Sequence, residues 1–540
     1  MSARLAAAAA ELVTSLMLRP WGQVSPSVYE TGRLVSLAPW LTGHRERIDY
    51  LTGTQRPDGT WGAPDGYGLV PTLSATEGLL AALVRGDAER GRLAPAAERG
   101  LAALRAWLDA RPDGQHDGQP GGRLGLPDMP AIEHIVPSLV ALINRHAAAL
   151  PGHPPSRPLP LPEGMSYDAL TRVRTWIASG ARIPEKLLHA LEVAGEAAAR
   201  APGVRPTAIG TVGASPAATA AWLSPGPSGS ALADDQPERT ADASEAARGH
   251  LEAIVRLHGG PVPVGLPITV FERGWVLSLL VRAGVPVEVP PEIPADLRAA
   301  IGPAGTPAGP GLPADADTTS VALYALALLG LPCEPDSLWS FRSGAHFATW
   351  PGEQGVSVSV NAHVLDAFGQ YAARRPGAAP RYAGTIRDLA GWLRERQEPD
   401  GSWSDRWHAS PYYATVSCAL ALDAFGGERS APAVRAAAEW VLATQRPDGS
   451  WGRWAGTAEE SAYAIQTLLL TRCRQDPRGL EAARRGQAYL AGAAGADHPP
   501  LWHDKDLYAP IAITRAAVIA ASYLVERAAR DAAPAGRDGR

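Results

Sequence analysis

The 540-residue chain contains little cysteine, little phenylalanine and almost no lysine. Its three cysteines, Cys333, Cys418 and Cys473, are scattered, odd in number and without CxxC spacing. This excludes a disulfide framework and a cysteine zinc site, and it fits a reducing, cytoplasmic location. No stretch approaches the ~18 consecutive apolar residues of a transmembrane segment. The alanine-rich start, Met1 to Met17, is interrupted by Arg4 and Glu11 and lacks the large apolar side chains of a secretion signal. A net charge of −5 leaves no broad basic surface, which argues against nucleic acid as a partner. Lysine occurs only at Lys186 and Lys505, so arginine supplies nearly all of the 50 basic side chains. Alternating β-rich runs are largely missing as well, which leaves no basis for a large sheet.

What is present is helical. Alanine- and leucine-rich segments at residues 74–85, 131–149, 185–199, 320–329, 431–444 and 459–472 are separated by Pro/Gly turns. They predict an all-α fold, and the length predicts two or more domains. Residues 151–163 and 201–243 are rich in proline, glycine and serine and read as loops between helices. Tryptophan is abundant at 16 residues against five phenylalanines, so any aromatic wall is expected to be built largely of indoles.

One pattern repeats. Gln55-Arg-Pro-Asp-Gly-Thr-Trp61, Gln397-Glu-Pro-Asp-Gly-Ser-Trp403 and Gln445-Arg-Pro-Asp-Gly-Ser-Trp451 all read QxPDGxW and each follows a helical segment. Pro-Asp-Gly makes a tight turn in which glycine takes a positive φ. Repeats of a helix–turn unit point to stacked helical hairpins closing into α/α barrels, with these motifs as staples between helices.

A second pattern carries chemistry. Asp315-Ala-Asp317-Thr318-Thr319-Ser320 opens an apolar helical segment. Aspartates at a helix start commonly cap free N–H groups. Two carboxylates so close also oppose each other's ionisation, and a dry site adds to this, so one can be held as a neutral acid.

The three QxPDGxW repeats and the DADTTS run together resemble the class II terpene cyclases, the squalene–hopene cyclases and, more closely, the class II diterpene cyclases. Further segments carry the resemblance: Ser25-Pro-Ser-Val-Tyr-Glu-Thr31, Arg182-Ile-Pro-Glu-Lys-Leu-Leu-His-Ala-Leu-Glu192, Gly213-Ala-Ser-Pro-Ala-Ala-Thr-Ala220 and Phe271-Glu-Arg-Gly-Trp275. They span residues from about 20 to about 510. The resemblance implies two α/α barrels, β and γ, with residues 1–19 as the first helix of β, 20–285 as an inserted γ domain and 286–540 completing β. Asp234-Asp235-Gln-Pro-Glu238 imitates the class I metal motif DDxxE, but its Pro/Ser-rich setting makes it a decoy.

The resemblance also implies a reaction: protonation of the terminal alkene of a linear prenyl diphosphate, giving a bicyclic product that keeps its diphosphate. Asp317 maps to the proton donor, Asp315 to the residue that orients it, and Thr318 replaces the family's last aspartate. This DxDTT form resembles that of drimane-forming cyclases and suggests farnesyl diphosphate converted to drimenyl diphosphate. The alternatives are geranylgeranyl diphosphate converted to a labdane-type, copalyl-like diphosphate, and a non-catalytic α/α-barrel binding protein. Trp275, Trp350, Trp407, Tyr412, Tyr413 and Tyr463 are candidates for the aromatic wall that holds carbocations. His363, His408 and His503 are candidates for the terminating base. Arg182, Lys186 and Lys505 are candidate diphosphate contacts. The family's use of Mg²⁺ makes Asp128 and Glu133 the candidate metal ligands. The sequence carries no marker of oligomeric state.

Overall fold

A computed structural model describes residues 1–87, 90–109, 126–150, 157–225, 237–493 and 495–532. The Asp234-Asp235 pair lies outside the described residues. Six inner-layer helices begin in the same way, with a serine, threonine or aspartate in extended backbone. The side chains of Ser27, Ser215, Asp315, Ser357, Ser410 and Thr457 each accept a hydrogen bond from an amide two or three residues on. Such caps satisfy amides that the helix cannot and fix where it starts. These six helices belong to the inner layers of two barrels.

The first ring comprises Val28–Leu37, Leu69–Arg85, Ile132–Ala149, the 3₁₀ stretch Leu191–Ala198 and Pro216–Leu223, each packed on the next and the last on the first. The second ring has six members: Thr269–Ala283, Ala316–Leu328, Val358–Arg374, Pro411–Phe425, Ala458–Leu470 and Ile511–Ala532. Outer helices such as Ala379–Arg394, Ala431–Ala443 and Pro477–Gly492 bridge neighbouring inner ones, and Ala3–Leu18 packs on Ile511–Ala532. Both rings are α/α barrels. Thr269–Ala283, within the stretch expected to belong to γ, packs on Ala316–Leu328 and Ile511–Ala532 and so closes the second ring. Of the family-like Phe271–Trp275 stretch, Trp275 lies in the second barrel's core and Phe271 packs against it.

The QxPDGxW motifs staple layers. Trp61, Trp403 and Trp451 are fully buried. Their indole N–H groups donate to the carbonyls of Leu51, Leu393 and Val441 at 2.7–2.9 Å. Each glutamine amide donates both to its own turn glycine and to an outer helix, for example from Gln397 to Gly401 and Ala433. At Gly401, φ is +97° and a Cβ would stand 2.5 Å from the Ala436 carbonyl, so only glycine fits.

Residues Trp502–His503 and Leu507–Tyr508 form a small antiparallel hairpin on the second barrel. Its tip, Asp504-Lys505-Asp506, enters the first barrel. Among the described residues, no helix is long and apolar enough to cross a membrane.

Candidate active site

Inner helices of the second barrel run parallel, because residues near their N-termini meet one another. Asp317, in the first turn of Ala316–Leu328, meets His363 in the second turn of Val358–Arg374, with Oδ1 2.6 Å from Nδ1. Ser357 and Ser359 hold Asp405, which precedes the next inner helix. The positive helix ends therefore gather at the end of the barrel that carries the aspartates.

Asp315 is the N-cap of its helix. Its Oδ1 accepts from the Thr318 amide at 2.6 Å. Burial raises its pKa from 3.8 to about 7, opposed by the Thr318 amide and increased by the charge of Asp317. Capping and acid chemistry thus coincide in one residue, which remains neutral up to near neutral pH. Thr318 bonds Asp315, not Asp317, so it supports the cap and does not orient the donor.

Asp317 faces a wall of rings. Trp275 stands edge-on to His363, with centroids 5.5 Å apart, and donates from Nε1 to Tyr413 Oη at 3.0 Å. Tyr413 contacts Trp502 at 4.7 Å and Tyr463 at 5.5 Å. Phe271 packs on Trp275 at 4.3 Å. The Asp317 carboxylate is close enough to Tyr413 and Tyr508 to raise their phenol pKa values, on top of burial. Trp350 and Trp407 form a perpendicular pair at 5.3 Å. Trp407 is anchored through Nε1 to Thr349, whose carbonyl accepts from the amide of Ala316. These two indoles therefore adjoin the Asp315 cap. Tyr412 turns the other way and packs on Trp440 of the outer layer at 4.6 Å. Successive helical residues are about 100° apart, so of the two tyrosines only Tyr413 joins the wall.

The histidines take separate places. His363 is bonded to Asp317 and so partners the acid. As a terminating base it would have to give up that bond. His408 stacks on Tyr413 at 4.7 Å and meets Glu459 through Nε2 at 3.3 Å. Burial would raise the pKa of Glu459, but hydrogen bonds from His408, Trp502 and Tyr463 bring it below the ordinary value. Glu459 is thus an anion set behind the aromatic wall, and the sequence reading missed it. His503 bonds the Arg406 carbonyl through Nδ1 at 2.6 Å, and burial lowers its pKa to about 4, leaving it neutral.

Of the three candidate diphosphate contacts, Arg182 and Lys186 are exposed. Lys505 is not available. Its side chain is 0% exposed, paired with Glu30 and, at 3.0 Å, with Glu192, and it donates to Ser215 Oγ and the His189 carbonyl. The hairpin drives this lysine into the first barrel, where two carboxylates match its charge. Asp504 and Asp506 flank it, bonded to His189 and to Ser27 and the Tyr29 amide.

The expected metal ligands do not form a site. Asp128 is paired with Arg406 at 2.9 Å, and Glu133 is 59% exposed beside His134. Among the described residues, no three His, Cys, Asp or Glu side chains gather as a metal site. Asp128 and Glu133 therefore do not fit a resident Mg²⁺.

The geometry is that of an acid under an aromatic roof, and comparison with known proteins agrees. Residues 354–495 match the family model of the squalene–hopene cyclase C-terminal domain. The chain is similar to the ent-copalyl diphosphate synthase of Streptomyces sp. (strain KO-3988), with 43% identity over 531 residues, covering 98% of this chain and 97% of the relative. It is also 41% identical to the copalyl diphosphate synthase of Streptomyces cyslabdanicus, over 96% of this chain and 95% of that one. The solved ent-copalyl diphosphate synthase of Streptomyces platensis superposes with a TM-score of 0.87 at 44% identity, covering 97% of this chain and 100% of that one. Identity at this level along both barrels, together with the Asp315–Asp317 pair at the head of a ring of parallel helices, leads to one assignment: the chain belongs to the class II terpene cyclases.

Proposed function

We propose that the protein converts geranylgeranyl diphosphate into a bicyclic, labdane-type diphosphate of the copalyl kind. The observation that carries this reading is the near full-length similarity to copalyl diphosphate synthases, joined by 40% identity to the labda-7,13-dienyl diphosphate synthase of Streptomyces clavuligerus. These relatives favour the C20 substrate over the farnesyl diphosphate that Thr318 suggested. The Thr318 amide braces the Asp315 cap.

In this reading the Asp317 carboxyl gives its proton to the terminal alkene. The new C–H bond leaves a tertiary cation, which two internal alkenes attack in turn to close the two rings. A neighbouring carbon then loses a proton, and the C–O bond to the diphosphate stays intact. An alkene is a very weak base, so the acid must be neutral beforehand and its carboxylate stabilised as it forms. Asp315 adds no charge below about pH 7. His363 Nδ1 meets Oδ1 and, in the tautomer that carries its proton there, donates to it as negative charge develops. Trp275, Tyr413 and Trp502 present ring faces and edges to the cation and exclude water. Arg182 and Lys186, both exposed and with no ion pair among the described residues, are the diphosphate contacts in this reading.

The test is incubation with C15 and C20 prenyl diphosphates, removal of phosphate and identification of products by mass spectrometry. A bicyclic C20 alcohol supports the proposal. A bicyclic C15 product alone restores the farnesyl reading, and no cyclic product from either substrate refutes cyclisation.

A further inference from the structure

Asp317 becomes an anion when it gives up its proton, so the cation it creates is drawn back toward it. Each ring closure moves the positive charge to a carbon farther along the chain, against that attraction. The fold places a second anion where it offsets the pull. Ala316–Leu328, Val358–Arg374, Pro411–Phe425 and Ala458–Leu470 follow one another in contact round the second barrel. Thr269–Ala283 and Ile511–Ala532 complete the other half of the ring. Ala316–Leu328 and Ala458–Leu470 are therefore three places apart in a ring of six, on opposite sides. Asp317 lies in the first turn of one and Glu459 in the first turn of the other. Because the inner helices are parallel, both carboxylates stand at the same end of the barrel, with the aromatic wall between them. Trp275, Tyr413 and Tyr463 of that wall line the barrel's interior cavity.

Glu459 is bonded to the wall from behind. Its Oε1 accepts from Trp502 Nε1 at 2.7 Å, from Tyr463 Oη at 3.1 Å and from His408 Nε2 at 3.3 Å. The Ser410 amide donates to His408 Nδ1 at 3.0 Å, so the ring's proton is on Nε2 and the imidazole brings no charge. Among the described residues, no lysine or arginine pairs with Glu459. Its three donors nevertheless keep it ionised in a buried site. An indole or phenol that donates to an anion is polarised, and its face becomes a better partner for a cation. Tyr508 lies within reach of both charges: Asp317 and Glu459 each raise its phenol pKa on top of burial.

We propose that Glu459 is a positioning residue for cyclisation: the counter-charge opposite Asp317 that, through Trp502 and Tyr463, draws the cation along the wall to the carbon where the cascade ends. It neither gives nor takes a proton, and it does not touch the substrate. The positive charge missing beside it arrives with the cation. Without it, the cation lingers near the Asp317 carboxylate and loses a proton before the second ring has closed.

The inference rests on the reading that Asp317 protonates geranylgeranyl diphosphate. Two probes test it: a bicyclic diphosphate with a tertiary ammonium at the ring position that carries the charge after the second closure, and its uncharged carbon counterpart. Their Kd values are measured by calorimetry for wild type, Glu459→Gln and Glu459→Asp, together with the products each forms from geranylgeranyl diphosphate. Glutamine keeps an acceptor for Trp502 and Tyr463 but removes the charge, whereas aspartate keeps the charge. Removing a unit charge about 8 Å from a cation, at an effective permittivity of about 20, weakens binding about thirtyfold. Glu459→Gln should show that loss for the ammonium probe, stay within about twofold of wild type for the uncharged one, and release monocyclic products. Glu459→Asp should hold the ammonium probe within about threefold of wild type. Where Glu459→Gln fails to fold, Glu459→Met combined with Tyr463→Phe removes the charge and one of its donors together and takes its place. Failure of both to fold assigns the carboxylate to the fold and overturns the inference. A folded, uncharged variant that weakens both probes alike, or neither, overturns it too. If wild type forms no cyclic product, the cyclase reading itself fails.

Discussion

Replacing Lys505 by methionine shows what this lysine is for. The substitution keeps the length of the stem and removes the charge. Glu30 and Glu192 would then share a dry pocket without the cation that joins them. Removing one member of a buried ion pair costs about 3–5 kcal/mol. The loss should depend on pH. Burial raises the pKa of Glu30 from 4.5 to about 7, and Lys505 is the main group opposing that rise. Without the lysine it climbs further. A carboxyl whose folded pKa exceeds its unfolded value weakens the fold as pH rises from the unfolded value to the folded one. In wild type that decline ends near pH 7. In the variant it continues, adding about 1.4 kcal/mol for each further pH unit until the new pKa is reached. Urea unfolding should therefore show a larger deficit at about pH 8.5 than at about pH 6, as the proton linkage requires. KM for the prenyl diphosphate should stay close to wild type in the folded variant. A large rise in KM with an unchanged unfolding midpoint would refute this reasoning and make Lys505 a phosphate contact.

Other predictions concern the acid and its wall. Asp317→Asn should abolish cyclisation, and His363→Ala should lower kcat by about 10²–10⁴, the usual weight of a positioned proton-transfer partner; product formation measured on folded protein checks both. Turnover should fall as pH rises through about 7, because ionised Asp315 places a second charge beside Asp317. Asp315→Asn keeps a neutral cap, so a pH–rate profile of that variant should lack this limb. Tyr413→Phe removes the acceptor for the Trp275 indole and should change the product mixture seen by mass spectrometry, whereas Tyr412→Phe should leave it unchanged.

The staples and the helical barrels were legible because turn chemistry and helical periodicity are local. Asp315 and Asp317 were legible because they are neighbours. The pairing of Asp317 with His363 spans 46 residues and depends on how inner helices align. Lys505 was read as a diphosphate contact, and only the tertiary depth of the hairpin reveals that Glu30 and Glu192 are its partners. The choice between Tyr412 and Tyr413 did have a signal in the sequence. Tyr413, Val416, Ser417 and Leu420 recur at helical spacing, and all four line the barrel's interior cavity. Trp275, Ser278, Leu279 and Arg282 repeat that spacing and line it too. Which stripe faces inward follows from ring closure, and one helix alone does not encode it.

The buried hairpin tip constrains how the enzyme handles its substrate. Drawing the barrels apart would pull Lys505 from Glu30 and Glu192 and break the bonds of Asp504 and Asp506 to the first barrel. Each separated buried pair costs several kcal/mol, so hinged opening between the barrels is too costly to accompany every turnover. The two barrels are therefore joined as one rigid frame. In the proposed reading, changes of chain-length specificity should come from resculpting the lining of the second barrel's cavity while leaving the joint between the barrels alone.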